Sequence, residues 1–236
     1  MSPYSWVANN PIGFIDPDGR DWYRSLDDEG NEDANGAVKW IAGSDAMEGY
    51  VNIGKSYNLD LGGGVSISYN QNIAESMTET VLNVGDWETQ REPIYDSKGK
   101  IVDSKKRAGE AGNCFCQAGQ MVSNSGATSL GGTANNINSI DGQTIYMNAQ
   151  VGEGSSVRVH VDYNGDGVGD HWVAISSRFT NIQTQTSSYN FFDPGTVYQE
   201  LGANSSSVFS VKNGNISGIT NYNKKAYTVT AVRKNQ

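Results

Sequence analysis

Both cysteines of the chain lie in one short stretch, and the chemistry of that stretch restricts the fold more than any other feature. Cys114 and Cys116 follow Gly112-Asn113, where a polar segment gives way to a helix-like run from 113 to about 124. The unpaired N–H groups and the positive dipole end of a helix stabilise a thiolate. Such a thiolate is a nucleophile if a histidine reaches it. The fold must therefore bring His160 or His171, the only two histidines, to the start of this helix.

Composition predicts a loop-rich protein with β-structure. The 236 residues include 28 glycines and are 36% hydrophobic, while 12 Tyr, 5 Trp and 6 Phe can still supply a core. A net charge of -9 without a dense basic patch argues against nucleic acid or an anionic membrane as a partner. No apolar run approaches the roughly 18 residues of a membrane helix, and no secretory signal is recognisable at the start. We expect no membrane insertion.

Alternating apolar and polar residues predict β-strands in the C-terminal part of the chain. These strands are 157–161, 171–177, 187–193 and 227–232. The second and third strands can pair as an antiparallel hairpin. We predict the register that sets His171 opposite Asp193 and Ile175 opposite Tyr189. In that register all four side chains lie on one face of the sheet. Opposed Cβ atoms are roughly 4.5–5.5 Å apart. Asp193 can then hold one nitrogen of His171 and leave the other for a thiol.

The candidate catalytic residues are therefore Cys114, His171 and Asp193. His160 is the competing base, but its place on the strand face opposite the valines favours an exposed or edge histidine. Cys116 lies one residue deeper, on another helix face, and is better explained as a small buried hydrophobe. Cysteines at i and i+2 point to different faces, so we expect no disulfide between them.

An acidic loop precedes His171. The stretch Asp162–Asp170 has oxygen ligands at positions 1, 3, 5 and 9 and glycine at position 6, like the front half of a calcium loop. Position 12, where such a loop needs an acid, is Val173. We favour a hairpin tip joining two strands and leave calcium binding as the alternative, so no cofactor or metal is predicted.

The first 20 residues are rich in turn-forming sequences. Tyr4, Trp6, Asn9-Asn10-Pro11 and Asp16-Pro17-Asp18-Gly19 resemble the motif that closes the core of Rhs/YD-repeat proteins, with Arg20 where that family often has Leu. The resemblance implies a C-terminal toxin that follows the parent Rhs shell. It also implies delivery into a target cell by secretion machinery, and a cognate immunity protein in the producer.

Three regions follow from these patterns. Residues 1–20 are the end of an Rhs-type core, residues 21–85 are a small β-rich connector, and residues 86–236 are the catalytic domain. Within the connector we predict strands near 38–41, 51–53 and 65–69.

The catalytic region resembles the papain-like cysteine peptidases. Gly112-Asn113-Cys114-Phe115 is similar to their nucleophile motif, Asp170–Ile175 to their histidine strand, and Phe191–Thr196 to their aromatic-Asp-Pro-Gly strand end. The resemblance implies an α+β fold in which the helix that carries the nucleophile packs on an antiparallel β-sheet. It also implies acyl transfer by a Cys-His-Asp triad.

The function implied is an antibacterial effector toxin, a cysteine peptidase or amidase acting on a target-cell protein or a peptidoglycan peptide. A glutamine deamidase or transglutaminase would use the same triad, and an inactive binding or plug domain is a third reading. Papain-like peptidases usually have a glutamine about six residues before the nucleophile. In this chain the corresponding residues, 106–109, contain no glutamine. The oxyanion would then need backbone N–H groups, with Asn113 or Gln117, or the reaction differs from ordinary peptide hydrolysis.

Overall fold

This computed structural model describes residues 20–33, 36–42, 47–70, 73–212 and 214–236. These residues divide into two units. The first contains the described residues up to Leu59 together with Ile67–Glu75, and the second contains Asp60–Ser66 and Ser76–Gln236. The Rhs-like motif, apart from Arg20, lies outside the described residues.

The first unit is built on a three-stranded antiparallel sheet. Its strands are β1 (Arg20–Ser25), β2 (Val38–Ala42) and β3 (Tyr50–Gly54), with β1 in the middle. The ring of Trp22 lies 5.1 Å from that of Trp40 and 4.5 Å from that of Tyr57, so an aromatic cluster supplies the core of this unit. The strands β4 (Ser56–Gly62), β5 (Val65–Asn70) and β6 (Ile73–Thr80) have residues in both units. The strands predicted in this region are confirmed.

The second unit holds the remaining elements. Its strands are β7 (Arg91–Tyr95), β8 (Ile101–Lys106), β9 (Asn136–Ile137), β10 (Arg158–Asp162), β11 (His171–Asn181), β12 (Thr186–Phe192), β13 (Val208–Lys212), β14 (Asn215–Ile219) and β15 (Ala226–Arg233). Its helices are α1 (Cys114–Asn124), α2 (Ile140–Gly152) and α3 (Gln199–Gly202). The helix predicted at the cysteines and the four predicted C-terminal strands are confirmed. Helix α2, β13 and β14 were not foreseen.

Six of these strands close into a β-barrel, so the predicted papain-like α+β fold is wrong. The order is β10-β15-β14-β13-β12-β11, and β10 pairs with β11 as well. Strands make up 45% of the structure and helices 18%, which makes it mostly β. The physical reason is that β10 is hydrogen-bonded along both edges, which leaves the ring without a free edge. Period-two alternation is the same in an open sheet and in a barrel, so it could not predict closure.

Most of the apolar side chains that the barrel strands bury form one hydrophobic cluster. Its fully buried members on the barrel strands are Val159, Val161, Val173, Ile175, Tyr189, Phe191, Phe209, Ile216 and Val232. The rings of Phe191 and Phe209 stack with centroids 4.1 Å apart. Helix α2 adds Met147 and Val151 to the same cluster.

The register of the β11–β12 hairpin differs from the predicted one. Ile175 lies opposite Phe191 rather than Tyr189, and the paired residues begin at Ala174 and Phe192, so His171 is not directly opposite Asp193. The pairing then shifts at an irregularity between Ile175 and Ser177. Before that irregularity, a displacement by two residues keeps each side chain on its predicted face, because side chains alternate with period two. There the error changed the partners of the residues but not their side of the sheet. Beyond the irregularity Ser177 lies opposite Asn190, three residues from its predicted partner.

Helix α1 packs against β11 through a second apolar cluster. Ala118, Met121 and Val122 of the helix are fully buried against a group that includes Trp172 and Ala174. Because these strand residues alternate with Val173 and Ile175 of the barrel cluster, α1 lies on the outer face of the barrel. None of the helices within the described ranges is long and apolar enough to cross a membrane.

Candidate active site

The start of α1 is fixed by an N-cap. The side-chain oxygen of Asn113 accepts a hydrogen bond from the backbone N–H of Phe115 at 2.9 Å, which makes Cys114 the first residue of the helix. The first N–H groups of a helix lack intrahelical partners, and the dipole there favours negative charge. The thiol of Cys114 therefore occupies the position that stabilises a thiolate. Both cysteines are free.

The structure brings Cys114, His171 and Asp193 together at one end of the barrel, where β11 begins and β12 has just ended. His171 Nε2 lies 2.8 Å from Asp193 Oδ1, and His171 and Cys114 line the same cleft. Since Nε2 is taken by Asp193, Nδ1 is the nitrogen left for the thiol. The diagonal placement of Asp193 in the observed register is still within reach of a histidine.

Asp193 is fully buried, and four hydrogen bonds satisfy its carboxylate. Oδ1 contacts His171 and accepts from the backbone N–H of Gly195 at 2.8 Å. Oδ2 accepts from the hydroxyls of Thr220 and Tyr227, each at 2.8 Å. A buried charge is tolerated only when it is paired and hydrogen-bonded, and here each oxygen has two partners. The sequence pattern offered no signal for Thr220 or Tyr227, which reach Asp193 from β14 and β15.

These contacts shift the three pKa values in the direction that favours an ion pair. Burial raises the pKa of the Cys114 thiol, but the hydrogen bond and charge of His171 outweigh it, so this pKa is lowered overall. Burial likewise opposes charge on His171, yet the Asp193 carboxylate raises its pKa to about 10. The pKa of Asp193 stays low, because His171 and the surrounding donors overcome the cost of burial. Cys114 and His171 therefore favour a thiolate–imidazolium pair.

A cleft of about 300 Å³ opens beside Cys114 and His171. The side chains around it come from the β7–β8 hairpin, the loop before β11 and the connection from β14 to β15. Its other lining residues are Gln90, Arg91, Lys106, Tyr163, Asp170, Gly195, Tyr222, Asn223, Lys225 and Tyr227. The reacting pair is thus open to a ligand and flanked mainly by polar groups.

Gln90 is a further candidate functional residue that sequence reasoning missed. Its backbone N–H donates to Pro194 O at 3.0 Å, and its carbonyl accepts from Arg107 N at 2.9 Å. This residue lines the cleft with Cys114, and its carboxamide is of the type that can donate a hydrogen bond to an oxyanion. Asn113 and Gln117, the two donors considered from sequence, do not line the cleft. Gln90 escaped detection because the hairpin that follows it separates it from the cysteine in sequence.

The two alternative residues have other environments. His160 stacks on Trp172 with ring centroids 4.2 Å apart, and β10 is paired on both sides. It is half-buried and not at an edge, which corrects the predicted edge position. Burial lowers the pKa of His160. Neither His160 nor Cys116 lines the cleft.

Arg158 anchors the beginning of α1 from the barrel. Its guanidinium lies 3.8 Å from the centroid of the Phe115 ring and donates to Phe115 O at 3.0 Å. Burial and the neighbouring Arg233 lower the pKa of Arg158 to about 10. The guanidinium packs so closely on Gly119 that a Cβ there would lie 2.9 Å from Nη1. Arg158 therefore helps to position the residue after the nucleophile.

The acidic loop forms the tip between β10 and β11. Ligand oxygens of Asp162, Asp166 and Asp170 lie within 4.8 Å of one another. The Asp162 carboxylate accepts from the backbone N–H groups of Asn164, Gly165 and Gly167 at 2.7–2.9 Å, and these hydrogen bonds lower its pKa. These contacts account for a hairpin tip. Val173, at position 12, is fully buried in β11.

The arrangement is that of a cysteine nucleophile with a histidine base oriented by a buried carboxylate, carried by a closed β-barrel. Comparison with protein-family models, with curated proteins and with solved structures gives no significant match for this chain.

Proposed function

We propose that this protein is a cysteine hydrolase, a peptidase or amidase that acts through an acyl-enzyme at Cys114. One observation carries the proposal. His171 lines one cleft with the thiol of Cys114 at a helix start, and its Nε2 lies 2.8 Å from a fully buried carboxylate. Four hydrogen bonds compensate the burial of that carboxylate, and its charge faces the histidine beside the thiol, an arrangement that is frequent at functional sites.

The proposed reaction begins with proton transfer from Cys114 to His171. The thiolate attacks the carbonyl carbon of an amide, forming a C–S bond, and the N–H groups at the start of α1 stabilise the oxyanion. In this proposal Gln90, which lines the cleft, donates a further hydrogen bond. The imidazolium then protonates the leaving amine as the C–N bond breaks. Water then gives a proton to His171 and attacks the thioester, and the C–S bond breaks to release the acid and the thiolate of Cys114. Asp193 holds the imidazole throughout.

The proposed biological role is that of the toxin end of an Rhs-type effector, delivered into a target bacterium. The sequence motif at 1–20 carries this part, together with the expected immunity protein that would cover the cleft. The substrate is an amide in a target-cell protein or in a peptidoglycan peptide. Glutamine deamidation or transglutamination would use the same three residues, and an inactive binding domain is the competing class.

Thiol reactivity tests the chemistry directly. We expect iodoacetamide to alkylate Cys114 rapidly at pH 6, where a thiol with the ordinary pKa of about 8.5 is mostly protonated and slow. The full chain carrying Cys116→Ser isolates one thiol, and peptide mass spectrometry identifies the labelled residue. Labelling of Cys114 no faster than that of a free thiol would favour the inactive binding domain.

A growth assay tests the role. The full chain and its Cys114→Ala variant are expressed in a bacterium, each with and without an export signal. Toxicity that Cys114→Ala abolishes supports an enzyme. Dependence on export then indicates peptidoglycan as the substrate, and toxicity only without export indicates a cytosolic protein. The mass change of the modified target separates hydrolysis from deamidation and cross-linking. Equal toxicity of both variants would contradict the proposal.

A further inference from the structure

The cleft beside Cys114 has a charge opposite to that of the chain. The whole sequence carries 17 cationic and 26 acidic residues, a net charge of -9. Around the cleft, however, the cationic side chains of Arg91, Lys106 and Lys225 outnumber the one carboxylate outside the reacting residues, that of Asp170. A cleft with one sign of charge raises the local concentration of ligands of the other sign.

Two of these cations lie side by side on the β7–β8 hairpin. Arg91 pairs with Lys106 across the two strands. The Arg91 guanidinium is held by Ser104, with Nε 2.8 Å from the hydroxyl and Nη2 2.6 Å from the carbonyl oxygen. These bonds leave Nη1 for a ligand. The stem of Lys106 packs near Gly112, where a Cβ would lie 3.2 Å from Lys106 Cγ. Lys106 is therefore close to the residues that lead into Cys114.

The third cation comes from the connection between β14 and β15. Lys225 is exposed, and its Nζ lies 4.2 Å from the centroid of the Tyr163 ring, which also lines the cleft. Cationic groups thus approach the cleft from two separate hairpins of the second unit.

The single acidic lining residue is already engaged in its own loop. Asp170 Oδ1 accepts from the side-chain amide of Asn164 at 3.2 Å, and Oδ2 accepts from Tyr163 N at 3.3 Å. Asp162 and Asp166 gather around it, but they do not line the cleft. The cleft therefore has two cationic side chains, Arg91 and Lys106, on its β7–β8 side, and its carboxylate, Asp170, is hydrogen-bonded within the acidic loop.

We infer that the substrates of this site are acidic peptides. A carboxylate next to the scissile amide binds to Arg91 and Lys106, and Lys225 adds to the positive potential of the cleft. The inference rests on the proposed function, because it concerns the same cleft. A guanidinium with a free edge and a neighbouring ammonium form the kind of pair that binds a carboxylate. The inference narrows both proposed targets to amides that have an acidic neighbour.

Two small reagents test this without knowledge of the substrate. Iodoacetate and iodoacetamide attack a thiolate by the same displacement of iodide and differ in one carboxylate. Their rate constants at Cys114 are measured at pH 6 and low salt in the full chain carrying Cys116→Ser. The ratio of iodoacetate to iodoacetamide is compared with the same ratio for N-acetylcysteine. We expect it to be about tenfold higher in the protein, and to approach that of N-acetylcysteine in 1 M salt.

Substitutions locate the effect. Arg91→Gln and Lys106→Gln should each lower the ratio by about three- to tenfold. Because both reagents react with the same thiolate, the ratio does not depend on any change that a substitution makes in the amount of thiolate. Lys105→Gln is the matched control. Lys105 is next to Lys106 in sequence, but it does not line the cleft and forms an exposed ion pair with Glu92 at 2.9 Å. Its substitution makes the same change in net charge and should leave the ratio unaltered.

The possible results separate the two proposals. Fast iodoacetamide labelling with a ratio equal to that of N-acetylcysteine overturns the acidic-substrate inference and leaves the hydrolase standing. An equal drop for Lys105→Gln and Lys106→Gln also overturns it, since the effect would then come from net charge. Slow labelling of Cys114 by iodoacetamide at pH 6 overturns both.

Discussion

Replacing Asp193 by asparagine should remove the charge behind His171 while keeping the geometry. The Gly195 N–H can only donate, so the amide oxygen of asparagine must take the position of Oδ1, facing Gly195 and His171. The amide NH₂ then faces the hydroxyls of Thr220 and Tyr227, which can rotate to accept. We therefore expect Asp193→Asn to fold, and the change in reactivity to report the lost charge.

The magnitude follows from the contact between Asp193 and His171. An opposite charge at this range raises a histidine pKa by about 1–3 units, which corresponds to about 1.4–4 kcal/mol of support for the imidazolium. Without it the proton returns to the thiol of Cys114. The rate of iodoacetamide labelling at pH 6 should fall by roughly tenfold to a thousandfold, and it should recover near pH 9, where the thiolate forms without help from His171.

The assay is a pH series of the labelling rate, with the melting temperature of each variant measured in parallel. Thr220→Val is the control, since it removes one hydrogen bond from the carboxylate and keeps its charge; we expect labelling at pH 6 within a few-fold of the parent. Asp193→Ala should instead destabilise the fold by about 3–5 kcal/mol, because it leaves buried donors without a partner. Labelling of Asp193→Asn at pH 6 as fast as that of the parent would refute the reasoning.

Three further predictions concern the same cleft. Cys116→Ser should leave the labelling rate of Cys114 within a few-fold, because Cys116 does not line the cleft; a large loss by mass spectrometry would reassign the nucleophile. Gln90→Ala should slow product formation in the target assay by about a hundredfold and leave alkylation unchanged, as expected for an oxyanion donor; equal loss in both assays would contradict that role. The rate of hydrolysis should rise as the pH passes the lowered pKa of Cys114. It should fall near pH 10, where His171 loses the proton that it gives to the leaving amine. A decline of the initial rates already near pH 7 would contradict the raised pKa of His171.

Prediction from sequence worked where a few neighbouring residues decide the outcome. The helix-like run predicted from 113 to about 124 is confirmed as the helix Cys114–Asn124, and the structure adds that Asn113 caps its start. The alternation around His171 predicted the face of the sheet on which its side chain meets Asp193. That prediction of the face holds despite a register error of two residues there, because side chains repeat with period two.

The features that the sequence could not determine depend on contacts between distant segments. The barrel closes because β10 pairs with both β11 and β15, and no local pattern distinguishes that from an open sheet. Tyr227 and Thr220 complete the partners of Asp193, and Gln90 enters the cleft from before the β7–β8 hairpin. Chain segments far apart in sequence meet only when the whole core packs. The residue types and local elements of the site were therefore readable from the sequence, whereas its surroundings and its charge were decided by the tertiary structure.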